Sequence, residues 1–344
     1  MSACRRIAFA LQGCGVSRRQ GIIMTRRILL ARPRLDCSFK QGPVPDVVGP
    51  PLNPILREFG RFLDQIQTFH EARGDTVVVD EQPLWRFELS ELQALAVAFD
   101  RVYFPHKLRR QFPIGTNAWF YKNAPLAGFM TADPAGWGAS LSFLPPPVSP
   151  SEVADQGYAV LRERISRNES VFTQPALTGP PVSGAYDLFL CQLPHDETIR
   201  FHSDVGVSEA LAAVLAHCRA VGRRLVVKGH PANRKSMEPL RAMTSAYPGA
   251  AWVDDVSIHA CIAGAACVFT VNSGSGMEVL LHDRPLIRFG RAEYDAVVDQ
   301  AAIDDIASAR GRTSTTRERA AFIHAYLSRC LAIDDPESFE TVLG

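Results

Sequence analysis

The sequence predicts an α/β protein built from two Rossmann-like domains that face each other across a cleft. Three observations carry that expectation. Short β-type runs alternate with amphipathic helical runs in both halves of the chain, the pattern that builds parallel sheets with right-handed crossovers. The alternation stops between Phe112 and Pro150 and then restarts, dividing the chain into two blocks. The length of 344 residues suits two domains of ordinary size, each able to bury a core.

In the first block, Ile28–Ala31 reads as a strand. Leu52–His70 reads as a helix, because Ile55, Leu56, Phe59, Phe62, Leu63 and Ile66 recur near helical period. Thr76–Asp80 is a buried-type strand, Ser90–Phe99 a helix capped by Ser90, and Arg101–Phe104 a further strand. The segment from Phe112 to Pro150 holds Gly115, Pro125, Gly128, Pro134, Gly136, Gly138 and the run Pro145-Pro146-Pro147. That composition predicts a long irregular segment, which in a compact domain is usually functional or mobile. Ser151–Asn168 is a helix bridging the halves.

The second block opens with strand Tyr186–Cys191 and the polar loop Gln192–Ser203. Helix Ser208–Val221 follows, with Ser208 as its cap and Gly222 at its end. Leu225–Val227, Ala251–Val253, Cys267–Val271 and Pro285–Phe289 are strands. Ile258–Ala263, Ser275–His282 and Thr315–Leu331 are helices. The expected domains are 24–150 and 184–314, joined by a linker helix and loop over 151–183 and closed by a C-terminal helix and tail over 315–344. Clefts between domains are common ligand sites, and two facing Rossmann-like domains make the GT-B architecture the expected one.

Bulk properties exclude several classes. Lys+Arg 37 against Asp+Glu 36 leaves a formal net charge of +1, so no broad basic field suggests nucleic acid. No apolar run reaches membrane-spanning length; Cys261–Val271 is too short and is interrupted by Gly264. Eight scattered cysteines form no CxxC pair, as in a reduced, cytoplasmic protein. Residues 1–23 carry arginines and no acid but lack the apolar core of a secretory signal. They read as an N-terminal extension or as a start placed upstream of Met24.

Chemistry gathers at strand ends, where open α/β sheets bind ligands. Lys228-Gly229-His230-Pro231 follows one strand, Asn272-Ser273-Gly274-Ser275-Gly276-Met277-Glu278 a second, and Arg288-Phe289-Gly290-Arg291-Ala292-Glu293-Tyr294 a third. In the serine loop, glycines let backbone N–H groups approach a ligand and a helix start favours an anion. Ser273 and Ser275 add hydroxyl donors. The spacing Ser275-x-x-Glu278 is also that of a capping box, which needs no ligand. His230, turned outward by Pro231, can donate to a phosphate or simply bond to backbone. Lys228 and Arg234 are carboxylate or phosphate partners, or solvated charges. Gln192 stands just past its strand and can reach the cleft; His195 and Asp196 belong to a polar loop. In the first block, Asp133 within Thr131-Ala132-Asp133-Pro134-Ala135-Gly136-Trp137-Gly138 is the candidate nucleophile or base, and the bland alternative is an Asp-Pro turn. Asp133 and His230 are thus the candidate catalytic pair. No HExxH, DxD or Cys–His spacing supports a metal.

Over Tyr186–Val298 the order Cys191-Gln192, Asp196, Lys228-Gly229-His230-Pro231, Asn272–Glu278, Phe289-Gly290 and Tyr294 resembles the bacterial capsule polysaccharide biosynthesis proteins. That family includes 3-deoxy-manno-octulosonic acid (Kdo) transferases. The resemblance implies a GT-B-like fold and a CMP-activated sugar such as CMP-Kdo as donor substrate, with no further cofactor. It places His230, Ser273 and Ser275 on the donor phosphate and Glu278 by the nucleotide. The family's acidic Asp-Gly loop has its nearest counterpart in Asp133-Pro134-Ala135-Gly136-Trp137. The implied partners are a glycan or glycolipid acceptor and, at the inner membrane, capsule assembly proteins. Serine-glycine-glutamate loops and His-Pro also occur in sugar-nucleotide 2-epimerases, so an isomerase is one alternative. A non-catalytic protein of capsule assembly or export is another.

Overall fold

The computed structural model describes residues 25–33, 54–82, 94, 97–106, 117–146, 149–231, 234–309 and 314–344. The N-terminal extension and most of the expected helix Ser90–Phe99 lie outside them, although residues 94, 97 and 98 are helical.

The first sheet runs in the order β12-β5-β4-β3-β1-β2. Strands β1 (Arg27–Pro33), β2 (Thr76–Gln82), β3 (Arg101–Pro105) and β4 (Ala118–Asn123) are mutually parallel. Helix α1 (Pro54–Ala72) follows β1. Its Phe62, Leu63 and Ile66 pack on Ile28 and Leu30 of β1, as the helical period required. The segment expected to be irregular holds a hairpin. Strand β5 (Phe129–Asp133) turns back antiparallel on β4, pairing Phe120 with Asp133 and Asn123 with Met130.

Helix α2 (Glu152–Ser166) bridges the domains, and Ser151 accepts the Ala154 N–H at 3.1 Å as its cap. The second sheet follows, in the order β11-β10-β9-β6-β7-β8. Its strands are β6 (Tyr186–Leu190), β7 (Leu225–Lys228), β8 (Ala250–Val253), β9 (Ala265–Thr270), β10 (Leu286–Arg288) and β11 (Asp299–Gln300). All are parallel. Counted within the domain this is the dinucleotide-fold order 3-2-1-4-5-6, and its topological switch point falls between β6 and β9. Between the strands lie α3 (Glu197–His202), α4 (Val207–Ala220), α5 (Glu238–Ser245), α6 (Ile258–Ala263) and α7 (Gly276–Leu281). Helix α4 is entered at Gly206 rather than at Ser208, because the Glu209 carboxylate reaches back to accept the Gly206 N–H at 2.8 Å. Gly222 closes it at φ +67°, where a side chain would be strained.

The C-terminal segment is more than a helix and a tail. Helix α8 (Thr316–Leu327) ends four residues earlier than expected, with Ser328 as its C-cap. The chain then crosses back as β12 (Leu331–Ala332), antiparallel to β5, and α9 (Pro336–Leu343). Phe339 and Leu343 of α9 complete the core around Ile28, Leu30 and Phe62. The first domain therefore includes both ends of the described chain. Ala124 and Leu126 of the β4–β5 turn share one apolar cluster with Leu188, Met277 and Phe322, so the domains meet through a common core.

Tyr158 of α2 is buried and donates its hydroxyl to Leu280 O at 2.6 Å and Asp283 Oδ1 at 3.0 Å. These bonds pin the bridging helix to the end of α7. A Tyr158→Phe variant should lose about 1 kcal/mol, because the phenol's bonds to Leu280 O and Asp283 go while Leu280 O keeps the Asp283 N–H at 3.1 Å. Urea unfolding should show a lower midpoint with unchanged slope.

Candidate functional site

The cleft-facing edge of the second sheet is organised by two buried amides. Gln192, just past β6, donates from Nε2 to Asn272 Oδ1 at 2.9 Å and accepts the Asn272 N–H at 2.9 Å. Asn272 in turn donates from Nδ2 to Thr198 O at 3.0 Å. Both side chains, expected as ligand contacts, are spent on holding the ends of β6 and β9 and the start of α3 in register at the switch point.

The serine loop hangs from that lock. Ser273 N donates to Thr270 Oγ1 at 3.3 Å, Ser275 N to Ser273 Oγ at 3.3 Å, and Gly276 N to Ser273 O at 2.9 Å. Most of the loop's own N–H groups are thus satisfied within it, leaving hydroxyls as its outward chemistry. Tyr294 holds the loop from behind, donating to Ser273 O at 2.6 Å. Its ring occupies the place a Cβ at Gly276 would take, so Gly276 is required by packing. At Gly274 a Cβ would stand 3.5 Å from Pro125, an ordinary contact. The loop's tip therefore faces the β4–β5 turn of the first domain.

Ser275 starts α7 without the side-chain cap bond that the Ser-x-x-Glu spacing suggested. Glu278 instead hydrogen-bonds through its side chain to Ser275 and to Ser170, and it is 3 % exposed. Burial raises its pKa to about 7; the two hydroxyls and the Arg164 charge oppose that rise. Ser170 lies on the linker after α2, and Phe172 two residues on packs edge-to-face on the His230 ring, centroids 5.0 Å apart. The linker thus brings His230, at the end of β7, toward Glu278 and Ser275 at the start of α7. Sequence reading missed Ser170 and Phe172, because nothing in their own spacing shows that the linker lies over the strand ends. Pro231 beside His230 is exposed.

Other candidates have structural partners. Lys228 is buried and donates to Asp254 O at 2.8 Å. Gly229 is required because a Cβ there would meet Asp254 and Trp252. Asp196 caps α3, accepting the Thr198 N–H at 2.7 Å, while His195 is exposed. Arg288 pairs with Asp295 at 2.7 Å.

Asp133 requires a correction. Its Oδ1 accepts the Ala135 N–H at 2.7 Å and its Oδ2 the Ser142 hydroxyl at 2.6 Å, which is the Asp-Pro turn. It pairs with Phe120, five residues before Pro125, and thus lies about 16 Å along the strand from the turn that meets the serine loop. It lines a cavity of about 170 Å³ with Trp119, Ser142 and Arg329. The structure does not bring it to His230. The part of that glycine-rich loop that reaches the second domain is Trp137-Gly138, whose Trp137 O lies 3.1 Å from His202 Nε2.

This architecture is a GT-B-like pair of Rossmann domains with a polar strand-end site on the second. Residues 178–333 match the family described as capsule polysaccharide biosynthesis protein, so the resemblance drawn from the sequence holds over the second domain. No curated protein matches the chain. Among solved structures, the Thermosulfurimonas dismutans KpsC beta Kdo 2,7 transferase aligns at TM-score 0.50 and 16% identity, covering 78% of this chain and 85% of that one. This likeness is one of fold. The beta Kdo 2,4 transferase of the same KpsC aligns at TM-score 0.49 and 14% identity over 75% and 85%. The Methanocaldococcus jannaschii UDP-GlcNAc 2-epimerase aligns at 0.35 and 8% over 87% and 99%.

The buried Glu278 makes stability depend on pH. Its folded pKa of about 7 stands above the ordinary value of 4.5 for a glutamate, so between those values the native state holds more protons than the unfolded one. Stability from this group is fully present below the lower value and falls as pH rises through the window, by up to about 3 kcal/mol. Glu278→Gln should remove that slope and exceed wild type above neutrality, as read by urea midpoints at about pH 4 and about pH 8, on either side of the window. Parallel slopes in the two proteins would refute the assignment.

Proposed function

We propose that the protein is a glycosyltransferase of surface polysaccharide synthesis that uses a nucleotide sugar, a CMP-activated sugar such as CMP-Kdo. The acceptor is a glycan or glycolipid. The observation that carries this reading is the convergence of His230, Ser275 and Glu278 at the strand ends, drawn together by the Ser170–Phe172 linker. The match of the second domain to the capsule polysaccharide family supports the same reading.

In this reading the donor phosphate sits between His230 and the hydroxyls of Ser273 and Ser275. Charge developing on the leaving phosphate is met by preorganised donors, which is how electrostatic catalysis lowers a barrier. The buried Glu278 accepts hydroxyl protons, those of Ser170 and Ser275 in the free protein and ribose hydroxyls when a nucleotide lies against α7. The first domain supplies the acceptor side of the cleft. Asp133, closed within its turn, has no step in this chemistry. Kdo carries a carboxylate, and Lys228, buried against Asp254, stabilises it only through its field.

Isothermal titration with CMP, CDP, UMP and UDP tests the reading. CMP should bind best, and His230→Ala should weaken it by about tenfold or more, or roughly 1.4 kcal/mol, without changing the melting temperature. A preference for UDP would favour the 2-epimerase alternative. No nucleotide binding at all would overturn the enzyme reading in favour of an assembly protein.

A further inference from the structure

The seam between the domains holds a second group of polar side chains that the donor site does not use. From the first domain, Gly138 adopts φ +59° and brings the backbone so close that a Cβ there would stand 2.9 Å from His202 Nε2 and 3.9 Å from Glu293 Oε1. His202 and Glu293, from the second domain, therefore flank one point of the opposing loop. The Trp137 ring lies 5.0 Å from that of His202, centroid to centroid, and Lys122 Nζ stands 5.1 Å over it. Tyr326 of α8 feels the Glu293 charge from the side.

These groups are deeply buried: Trp137 is 1 % exposed, His202 2 % and Glu293 4 %. Yet Trp137 Nε1 and His202 Nδ1 have no hydrogen-bond partner, whereas the Tyr326 hydroxyl pairs with the Cys330 side chain. Glu293 accepts no hydrogen bond that can be assigned among the described residues. Buried polar atoms in folded proteins are nearly always satisfied, so two orphans side by side on a domain boundary point to a ligand there. His202 is held neutral, its pKa lowered to about 4 by burial first and then by the Arg291 and Lys122 charges. With Nε2–H directed to Trp137 O, its Nδ1 is an acceptor.

The set therefore offers an indole N–H and an ammonium as donors, and an imidazole nitrogen and a carboxylate as acceptors. A phosphate would meet the Glu293 carboxylate, and a simple cation would meet Lys122 and Arg291. A pyranose has hydroxyls that both donate and accept, and it matches all of them. We infer that Trp137, His202 and Glu293 form the subsite for the acceptor's terminal pyranose, enclosed when the two domains close. Its place fits, since Tyr294, next to Glu293, bonds Ser273 of the serine loop. This deepens the glycosyltransferase reading and rests on it.

Saturation-transfer NMR on the full chain, with galactose, N-acetylglucosamine and glucuronic acid as probes, tests it. At least one pyranose should receive saturation, and Glu293→Gln should cut its affinity by about tenfold while CMP affinity stays within about twofold. Trp137→Phe keeps an aromatic ring but removes the indole N–H together with the five-membered ring that carries it, and it should act likewise. No transfer to any pyranose, or transfer unchanged in both variants, overturns the subsite. Loss in the variants in a protein that binds no CMP upholds the subsite while removing the donor reading.

Discussion

The paired amides of Gln192 and Asn272 are the constraint on which the rest of the site depends. Two bonds of 2.9 Å join them across the switch point, and a third from Asn272 to Thr198 O sets α3. Both residues are almost fully buried, where an unmade bond would cost its full desolvation. The lock therefore has one arrangement rather than several. From it the serine loop inherits its position, α3 carries His202 toward the first domain, and Gly290 passes Ser203 so closely that a Cβ on it would stand 2.7 Å from the Ser203 side chain. Two residues that looked like ligand contacts are engaged with each other and with the Thr198 carbonyl.

The same logic explains how the domains are held. The bridging helix α2 and the returning α8–β12–α9 segment make the chain cross between domains twice, and Tyr158 ties the first crossing to the end of α7. Ala124 and Leu126 bury apolar surface in the second domain's core, while a short distance away the Trp137–His202 contact is polar and incompletely bonded. Apolar contact joins the domains on one side of the seam and leaves the other side polar. In the proposed enzyme that asymmetry would make closure favourable only when a ligand is present.

Much of the fold was legible in the sequence. The strands β1 to β3 and β6 to β10 are compact apolar runs with clear breakers, and Phe62, Leu63 and Ile66 point inward as their period indicated. The β4–β5 hairpin was not legible. Its strands are nearly buried on both faces and so show no alternation, and the surrounding glycines and prolines resemble loop. Strand β12 is two residues long and gains its identity only from a distant partner. The strand-end placement of His230, Ser273, Ser275 and Glu278 was readable because polar residues after a β-run announce a strand-end loop. Ser170, Phe172 and His202 depend on where the chain returns in space, which no local spacing encodes. Asp133 misled because an acid among glycines looks alike whether it serves a turn or a reaction.

The disposition of charge around the cleft follows from these placements. The cations at the strand ends, Lys228 and Arg288, are consumed by Asp254 O and Asp295, so neither is held out as an open counter-charge. What remains at the donor position is a histidine, two serine hydroxyls and a carboxyl group that burial holds near neutrality. A site of this kind exerts little long-range attraction, in keeping with a net charge of +1. It must work instead through short-range, oriented hydrogen bonds, whose strength grows as water is excluded. In the proposed transfer, domain closure would be more than access control: it would supply the low-dielectric surroundings without which hydroxyls and one imidazole are a weak match for a leaving phosphate.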